Sequence, residues 1–495
     1  MSKYILAVDQ GTSGTKAVLF DRKGKLIHRS TVYHEQYYPQ PGWVEHDAEE
    51  IYDKTLEAIR ETVKTSGVGA DDLAALALTN QRETAVVWNK ATGKPVYRAV
   101  VWQCQRGSEV CRQLKNSGHQ KMVGEKTGLV IDPYFSASKI QWILDHVPGA
   151  REDAERGRLL CGTMDAWLTW KLTGGRSHAT DYSNACRTML YNIKDLRWDD
   201  ELLGLFNIPR FMLPGVKPSD EIAGYTDAGG IFGHAIPIAG LMGDSQAALF
   251  GQRCFEPGMV KATYGTGSSI VMNIGKAFRA SGSGIVTSLG WGMGGQVQYI
   301  FEGNVHCTGA VIKWLADQAG LLCDAKSAGP LAASLDDNGG VYLVPAFVGL
   351  GAPHWNNEAR AMISGMTMGT NKVHIVRAGE ESIAYQIKEV VDLMSEEAGL
   401  RIREVRADGG PTRDEFLMQF QADMLDTPVV CAGIEELSAL GSAFMAGLAV
   451  GFWKDVAELG ALPLENRTYI SRMEEAQREK NYSGWKNAVR KALCQ

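Results

Sequence analysis

The sequence predicts an α/β protein built from two related domains that face each other across a cleft. Three observations carry this. A strand, a helix and a strand follow one another near the N-terminus, the order of an α/β layer. A unit of strand, Gly/Thr/Ser turn and strand occurs near residue 10 and again near residue 266. No low-complexity tract and no Pro- or Ser-rich linker separates the halves, so the domains are expected to pack directly, with a hinged cleft between them.

Each element has a local reason. Tyr4–Val8 is a short apolar run, Gln10–Thr15 a turn of small residues, Lys16–Asp21 a second strand, and Lys25–His28 a third after Arg22-Lys23-Gly24. Ala48–Ser66 carries Ile51, Leu56, Ile59 and Val63 at helical spacing, with Asp47 as N-cap and Gly67 as stop. Leu73–Thr79 reads as a buried strand ending in Asn80-Gln81-Arg82-Glu83, and Ile236–Met242 as another that leads to Asp244. In the second half, Met259–Tyr264 and Ile270–Asn273 flank Gly265-Thr266-Gly267-Ser268-Ser269. A boundary near Phe250–Cys254 divides the chain into domains 1–250 and 251–495. Further on, the alternating Ile402–Arg406 precedes Asp408-Gly409-Gly410 and a helical pattern through Phe416, Leu417 and Phe420. Glu474–Cys494 reads as a surface helix with one apolar stripe at Trp485, Val489 and Leu493.

Composition narrows the function classes. The 495 residues carry a net charge of −6 and no Lys/Arg run, whereas a nucleic-acid binder usually shows a basic stripe. Mean hydropathy is −0.16, and no stretch of about 18 apolar residues stands ready to span a membrane. The N-terminus enters a strand pattern directly, without the pattern of a signal peptide. Nine cysteines are scattered, with no CxxC pair and no metal-ligand spacing. Reduced thiols in a cytoplasmic protein are expected. Glycine is enriched, at 55 residues, and without a Gly-X-Y period these serve turns and phosphate loops.

Chemistry concentrates at strand ends. In Asp9-Gln10-Gly11-Thr12-Ser13-Gly14-Thr15-Lys16, the glycines allow backbone N–H groups to approach an anion. The hydroxyls of Thr12, Ser13 and Thr15 can donate to phosphate oxygens, and Lys16 can offset charge. Asp9 could hold Mg²⁺, which favours carboxylate and phosphate oxygens. One such turn would more often be an ordinary hairpin, but a second at Gly265-Thr266-Gly267 changes the odds, because two can grip a triphosphate from both sides. Asp244 could take the proton of an attacking hydroxyl, or simply cap the next helix. Arg82 and Glu83 could bind vicinal hydroxyls, or form an exposed ion pair in a solvated loop. Trp102 and Tyr134 could floor a polyol pocket or belong to the core. Gly409-Gly410 suits a nucleotide lying on bare backbone, or a tight strand-to-helix connection.

Taken together, these segments resemble the FGGY carbohydrate kinases of the actin/hexokinase/Hsp70 superfamily, and within it the glycerol kinase branch. The resemblance covers nearly the whole chain. It includes Asp9–Lys16, Pro41–Asp47, Thr79–Thr84, Val101–Cys104, Thr127–Phe135, Asp181–Leu190, Gly243–Gly251, Thr263–Gly267, Gly349–Pro353, Asp408–Gly410 and Phe416–Asp423. Tyr134–His146 fits the family's first signature through Lys139 and Trp142. The resemblance implies two ribonuclease-H-like domains, with mixed sheets flanked by helices and ATP·Mg²⁺ in the cleft. It implies Asp244 as general base and Asp9 near the metal. Thr12, Ser13, Lys16, Thr266 and Gly309 would lie around the phosphates, with Lys313, Gly410 and Asp414 on the nucleoside side. Arg82, Glu83, Trp102, Tyr134 and Asp244 occupy the positions that bind glycerol in the family, and a homodimer or homotetramer is expected.

The departures bear on substrate choice. Glycerol kinases carry Phe where this chain has Ser269, and Gln where it has Ser245. Both changes shrink a side chain beside the substrate, so a four- or five-carbon polyol or ketose is the second reading. Lys16 stands in place of Arg, a change that keeps charge but loses the bidentate fork. Lys313 and Asp414 stand in place of Gln and Asn. The loop Gly229–Ala235 lacks the Arg that binds fructose 1,6-bisphosphate in some members, and His234 does not match their phosphorylated His. An actin- or Hsp70-like switch would not need Arg82, Glu83 and Asp244 together. A sugar-sensing pseudokinase would be expected to have lost Asp9 or Asp244, and both are present.

Overall fold

A computed structural model describes residues 3–356 and 358–494. Its first sheet is built from β1 (Tyr4–Gln10), β2 (Gly14–Asp21), β3 (Leu26–Tyr33), β4 (Leu73–Asn80), β5 (Ile222–Tyr225) and β6 (Pro237–Gly243). The spatial order is β5-β6-β4-β1-β2-β3. The hairpin strands β1, β2 and β3 pair antiparallel, β1 with β4 and β4 with β6 pair parallel, and β5 closes the edge antiparallel. The second sheet is built from β7 (Met259–Tyr264), β8 (Ser268–Gly275), β9 (Val286–Met293), β10 (Gln296–Val305), β11 (Glu404–Asp408), β12 (Val429–Ala432) and β13 (Asn466–Tyr469). Its order is β9-β10-β8-β7-β11-β12-β13. Here β7, β8 and β10 pair antiparallel, β7 with β11 and β11 with β12 pair parallel, and β13 closes that edge antiparallel. The two sheets thus repeat one six-strand plan, with β9 added to the second. This is the mixed-sheet, two-domain build expected from the repeated hairpin.

Helices cover these sheets for local reasons. Helix α1 (Ala48–Ser66) starts at Asp47, whose side chain accepts the N–H groups of Glu49 and Glu50, and stops at Gly67 with φ 70°. Both ends fall where the sequence sets them. Its buried residues Ile51, Ala58 and Ile59 join the core formed by Leu6, Val8, Ala17 and Leu19. Helix α2 (Asp244–Gly251) follows β6 at once, and α3 (Gly309–Asp317) follows β10 through a short turn. The long helix α4 (Lys372–Ala398) and α5 (Glu415–Leu425) serve the second sheet. Helix α6 (Leu437–Ala449) comes from the C-terminal half, yet its Ala439, Leu440 and Ala443 pack with Ile5, Ala7 and Ala77 of the first sheet. Helix α7 (Glu475–Leu493) buries Trp485 and Val489, and Trp485 stacks on Tyr385 of α4 at 5.3 Å. No helix among the described residues is long and apolar enough to cross a membrane.

Candidate active site

The C-terminal ends of the parallel strands and both small-residue hairpins open onto one cleft. Asp9 is the last residue but one of β1, Asp244 opens α2 directly after β6, and Asp408 ends β11. A cavity of about 650 Å³ is lined by Asp9, Lys16, Asp244 and Ser245 from one side, and by Lys261, Ser269, Asp408 and Gly410 from the other. Two smaller cavities continue it. One, of about 420 Å³, has Thr266, Gly309 and Lys313 in its wall. The other, of about 440 Å³, has Gly309, Gly410 and Asp414. Gly410 and Gly309 are the shared corners.

The first hairpin closes with Gly11 N–H donating to the Gly14 carbonyl at 2.9 Å. Ser13 is exposed at its tip. Thr12 Oγ1 accepts the Trp102 Nε1 proton at 3.0 Å, which ties the phosphate turn to the aromatic wall. Lys16 differs from expectation. Its Nζ lies 2.7 Å from Glu436 Oε2, at the start of α6, so its charge is already matched by a carboxylate. The same Glu436 accepts Arg29 Nη1 at 2.7 Å. Burial raises the Asp9 carboxyl to about 7, Lys16 pulls it down, and Asp244 and Glu436 push it up again.

The second hairpin repeats the closure, with Gly265 N–H donating to the Gly267 carbonyl at 2.9 Å. Thr266 is exposed at its tip. Gly309 N–H donates to the Gly265 carbonyl at 2.9 Å, which docks the α3 N-terminus on the hairpin. A helix N-terminus facing such a turn favours an anion. Lys313, one turn along α3, is exposed and paired with Asp317. Gly409 has φ 98°, and a Cβ there would collide with the Tyr264 carbonyl oxygen, so only glycine fits. Asp414 is the N-cap of α5, where its Oδ1 accepts the Leu417 N–H at 3.0 Å.

Arg82 and Glu83 are neither solvated nor a mutual pair. Both are buried, Glu83 at a left-handed φ of 62°, and they bond different partners. Arg82 donates Nη1 to Glu302 Oε2 at 2.8 Å and to Gln246 Oε1 at 3.1 Å, and Nη2 to Glu302 Oε1 at 2.9 Å. Its Nε lies 3.1 Å from Asp244 Oδ1. Glu83 Oε1 accepts Arg187 Nε at 2.6 Å, and Arg187 Nη1 stands 3.4 Å from Glu302. Two arginines and two glutamates therefore interlock beneath the cleft. Burial pushes the Glu302 carboxyl up, but Arg187 and Arg82 more than offset it and hold it at about 2.

Trp102 and Tyr134 meet edge to face at 5.5 Å, both half-buried. Lys139 positions the turn before them. Its buried ammonium donates to the carbonyls of Pro133, Tyr134 (2.6 Å) and Phe135 (3.1 Å), and burial lowers it to about 8. Ser245 lines the large cavity beside Asp244, whose carboxylate is 41% exposed. Ser269 Oγ is buried there without a hydrogen-bond partner.

Sequence reasoning missed Glu302, Arg187, Lys261 and Glu436. A charged residue inside the apolar run Tyr299-Ile300-Phe301-Glu302 was a usable signal for Glu302. Arg187 lay in the Asp181–Leu190 block without a role. His234 is 42% exposed and 3.8 Å from Asp71, as a solvated loop histidine should be.

Two sheets of one plan, two phosphate-type hairpins and a carboxylate at the facing strand end define a phosphotransferase of the actin/hexokinase build. Residues 4–251 match the N-terminal domain, and residues 260–450 the C-terminal domain, of the FGGY family of carbohydrate kinases. The chain belongs to that family. It is 53% identical over 492 residues to glycerol kinase 1 of Thermotoga maritima, covering 99% of this chain and 100% of the relative. It is 50% identical over 492 residues to the glycerol kinase of Bacillus licheniformis, with 99% of each covered. The crystal structure of Plasmodium falciparum glycerol kinase with ADP superposes with a TM-score of 0.95 at 34% identity, covering 100% of this chain and 99% of that one. A ligand-bound xylulose kinase from Lactobacillus acidophilus shares the fold at 21% identity, with a TM-score of 0.89 over 99% of this chain and 98% of its own.

Proposed function

We propose that this protein transfers the γ-phosphate of ATP to a terminal hydroxyl of glycerol, giving glycerol 3-phosphate. The observation that carries this is the large cleft in which Asp9 and Asp244 face Ser269 and Gly410. The glycerol kinases at about half identity support the substrate class. Division of the chain into 1–250 and 251–495 goes with this reading, supported by sheets that draw their strands from 4–243 and 259–469.

Both protein contacts to the Asp244 carboxylate fall on Oδ1, from Arg82 Nε and from the Ser245 N–H at 2.7 Å. Oδ2 is then the oxygen for a substrate hydroxyl. As the hydroxyl oxygen bonds to the γ-phosphorus, its proton passes to Oδ2. The bond from phosphorus to the β–γ bridging oxygen breaks, and that oxygen leaves with the electron pair as ADP. Arg82 holds Asp244 in place and is itself held by Glu302. Trp102 and Tyr134 present an apolar wall, while Thr12, Ser13 and Thr266 offer hydroxyl donors to phosphate oxygens, with Gly309 beside Thr266 in the adjoining cavity wall. Asp9 fits Mg²⁺, because a carboxyl pushed to about 7 by burial, with Asp244 and Glu436 adding to the rise, gains from a neighbouring dication. Asp9 would hold the ion, whose chemistry when bound is to neutralise charge on the transferring group.

Lys16, held by Glu436, acts in this reading through the field at Asp9 rather than by direct phosphate contact. The unpartnered Ser269 Oγ favours one second reading, a four- or five-carbon polyol or ketose whose extra hydroxyl bonds it. A cytoplasmic location is supported by nine free cysteines, and a homodimer or homotetramer by family resemblance. The test is ADP release across glycerol, dihydroxyacetone, erythritol, threitol, xylitol, ribulose and xylulose. Glycerol is expected to give the highest kcat/KM, and ATP hydrolysis that no polyol stimulates would end the kinase reading.

A further inference from the structure

Glu380 lies on α4 and is 2% exposed, yet its Oε2 has no hydrogen-bond partner. It lines the 440 Å³ cavity with Ile312, Ile383, Gly410 and Asp414. A buried carboxyl oxygen without a partner forfeits its hydration with nothing in exchange, so a ligand that pairs with it would be bound in part by that atom. Its helical neighbour Glu381 shows the usual solution, accepting Arg377 Nε at 2.8 Å and Asn338 Nδ2 at 2.8 Å. Other charged groups at the cavity are committed elsewhere or point outward. Asp414 caps α5, Arg413 is turned to Glu435 at 3.1 Å, and Lys326 is exposed.

Burial, reinforced by the Asp414 carboxyl, raises Glu380 well above the usual carboxylate range. In its protonated form, which burial favours, it presents one O–H donor beside one carbonyl acceptor. Adenine offers the complementary pair, an amino group beside a ring nitrogen.

We infer that Glu380 reads the nucleotide base, its carboxyl group pairing with the amino and ring-nitrogen edge of adenine in the 440 Å³ cavity. This rests on the proposed ATP-dependent reaction. The carbonyl oxygen accepts the exocyclic N–H and the hydroxyl donates to the ring nitrogen. Glu380 thereby satisfies its buried atoms only when the base is in place, and an ionised carboxylate, with two acceptors, would suit adenine less well.

The test compares KM for ATP and for purine riboside 5′-triphosphate, which lacks the amino group, in wild type, Glu380→Leu and Glu380→Gln. Turnover of glycerol by the wild type comes first, and its absence would overturn the ATP reading rather than this assignment. Given turnover, Glu380→Leu should raise the ATP KM roughly tenfold and leave that of purine riboside triphosphate nearly unchanged. Glu380→Gln, which keeps one donor and one acceptor, should hold the ATP KM within a few-fold of wild type. An unchanged ATP KM in Glu380→Leu, or an equal rise for both nucleotides, would overturn the assignment. Melting temperatures report folding separately, and neither variant should melt below wild type, since each removes a buried acid lacking a partner.

Discussion

Arg82 and Glu302 meet in a two-bonded ion pair, at 2.8 and 2.9 Å, that joins the end of a first-sheet strand to the middle of a second-sheet strand. Arg82 is 6% and Glu302 2% exposed, so neither charge has water to fall back on. Glu302→Gln would leave Arg82 and Arg187 short of counter-charge. Unfolding in urea should show a loss of about 3–5 kcal/mol, the usual consequence of breaking a buried pair. The Glu302 carboxyl is held at about 2 in the fold, against 4.5 when free. Its contribution is therefore complete above about pH 4.5 and lost as the pH falls through 2. The gap between wild type and variant should narrow over that window.

Asp9 behaves in the opposite sense. Its carboxyl rises from 3.8 to about 7 in the fold, so the folded protein binds the proton more tightly than the unfolded chain. Stability from this group is full below pH 3.8, declines as the pH rises to about 7, and is level beyond. Without nucleotide, Asp9→Asn should melt higher than wild type at pH 8, and the gain should shrink at pH 5. The same variant should lose phosphoryl transfer, which an ADP-release assay would register.

Asp244→Asn removes the proton acceptor while Arg82 keeps Glu302 and Gln246. A fall in kcat of about 10²–10⁴ is expected for loss of a general base. ADP affinity, read by calorimetry, should stay within a few-fold of wild type.

Ser269→Phe fills the cleft beside Ser245 and removes the unpartnered hydroxyl. Packing on the carbon chain should strengthen glycerol binding by about 1–3 kcal/mol, read as a lower KM, and longer polyols should lose turnover. If glycerol and longer-polyol turnover both hold steady, cleft size at residue 269 does not set the choice.

Gly409→Ala places a side chain at φ 98° against the Tyr264 carbonyl. Strain of about 1–3 kcal/mol is expected, shown as a lower melting temperature. The KM for ATP should rise more than that for glycerol, because Gly409 lines the cleft beside Gly410.

The sequence made the strand ends and turns legible because their causes are local. Asp47 and Gly67 mark both ends of α1, and the Gly/Thr/Ser turns mark both hairpins. The charged cluster was not legible, because its partners are far apart in the chain. Arg82 and Glu302 are separated by 220 residues, and Lys16 and Glu436 by 420. The sequence also allows Arg82 and Glu83 to be an exposed ion pair, whereas the fold buries both and gives them different partners, Glu302 for Arg82 and Arg187 for Glu83.

By itself, then, the sequence determined a repeated α/β plan, two phosphate-type hairpins and a carboxylate at the end of a strand. Periodicity and turn chemistry act within a few residues, so one chain suffices to read them. Only the tertiary structure decided which charges neutralise one another, that α6 crosses to the first sheet, and that Ser269 and Glu380 keep polar atoms without partners. Those outcomes depend on desolvation and on contacts between distant segments, which local pattern does not encode.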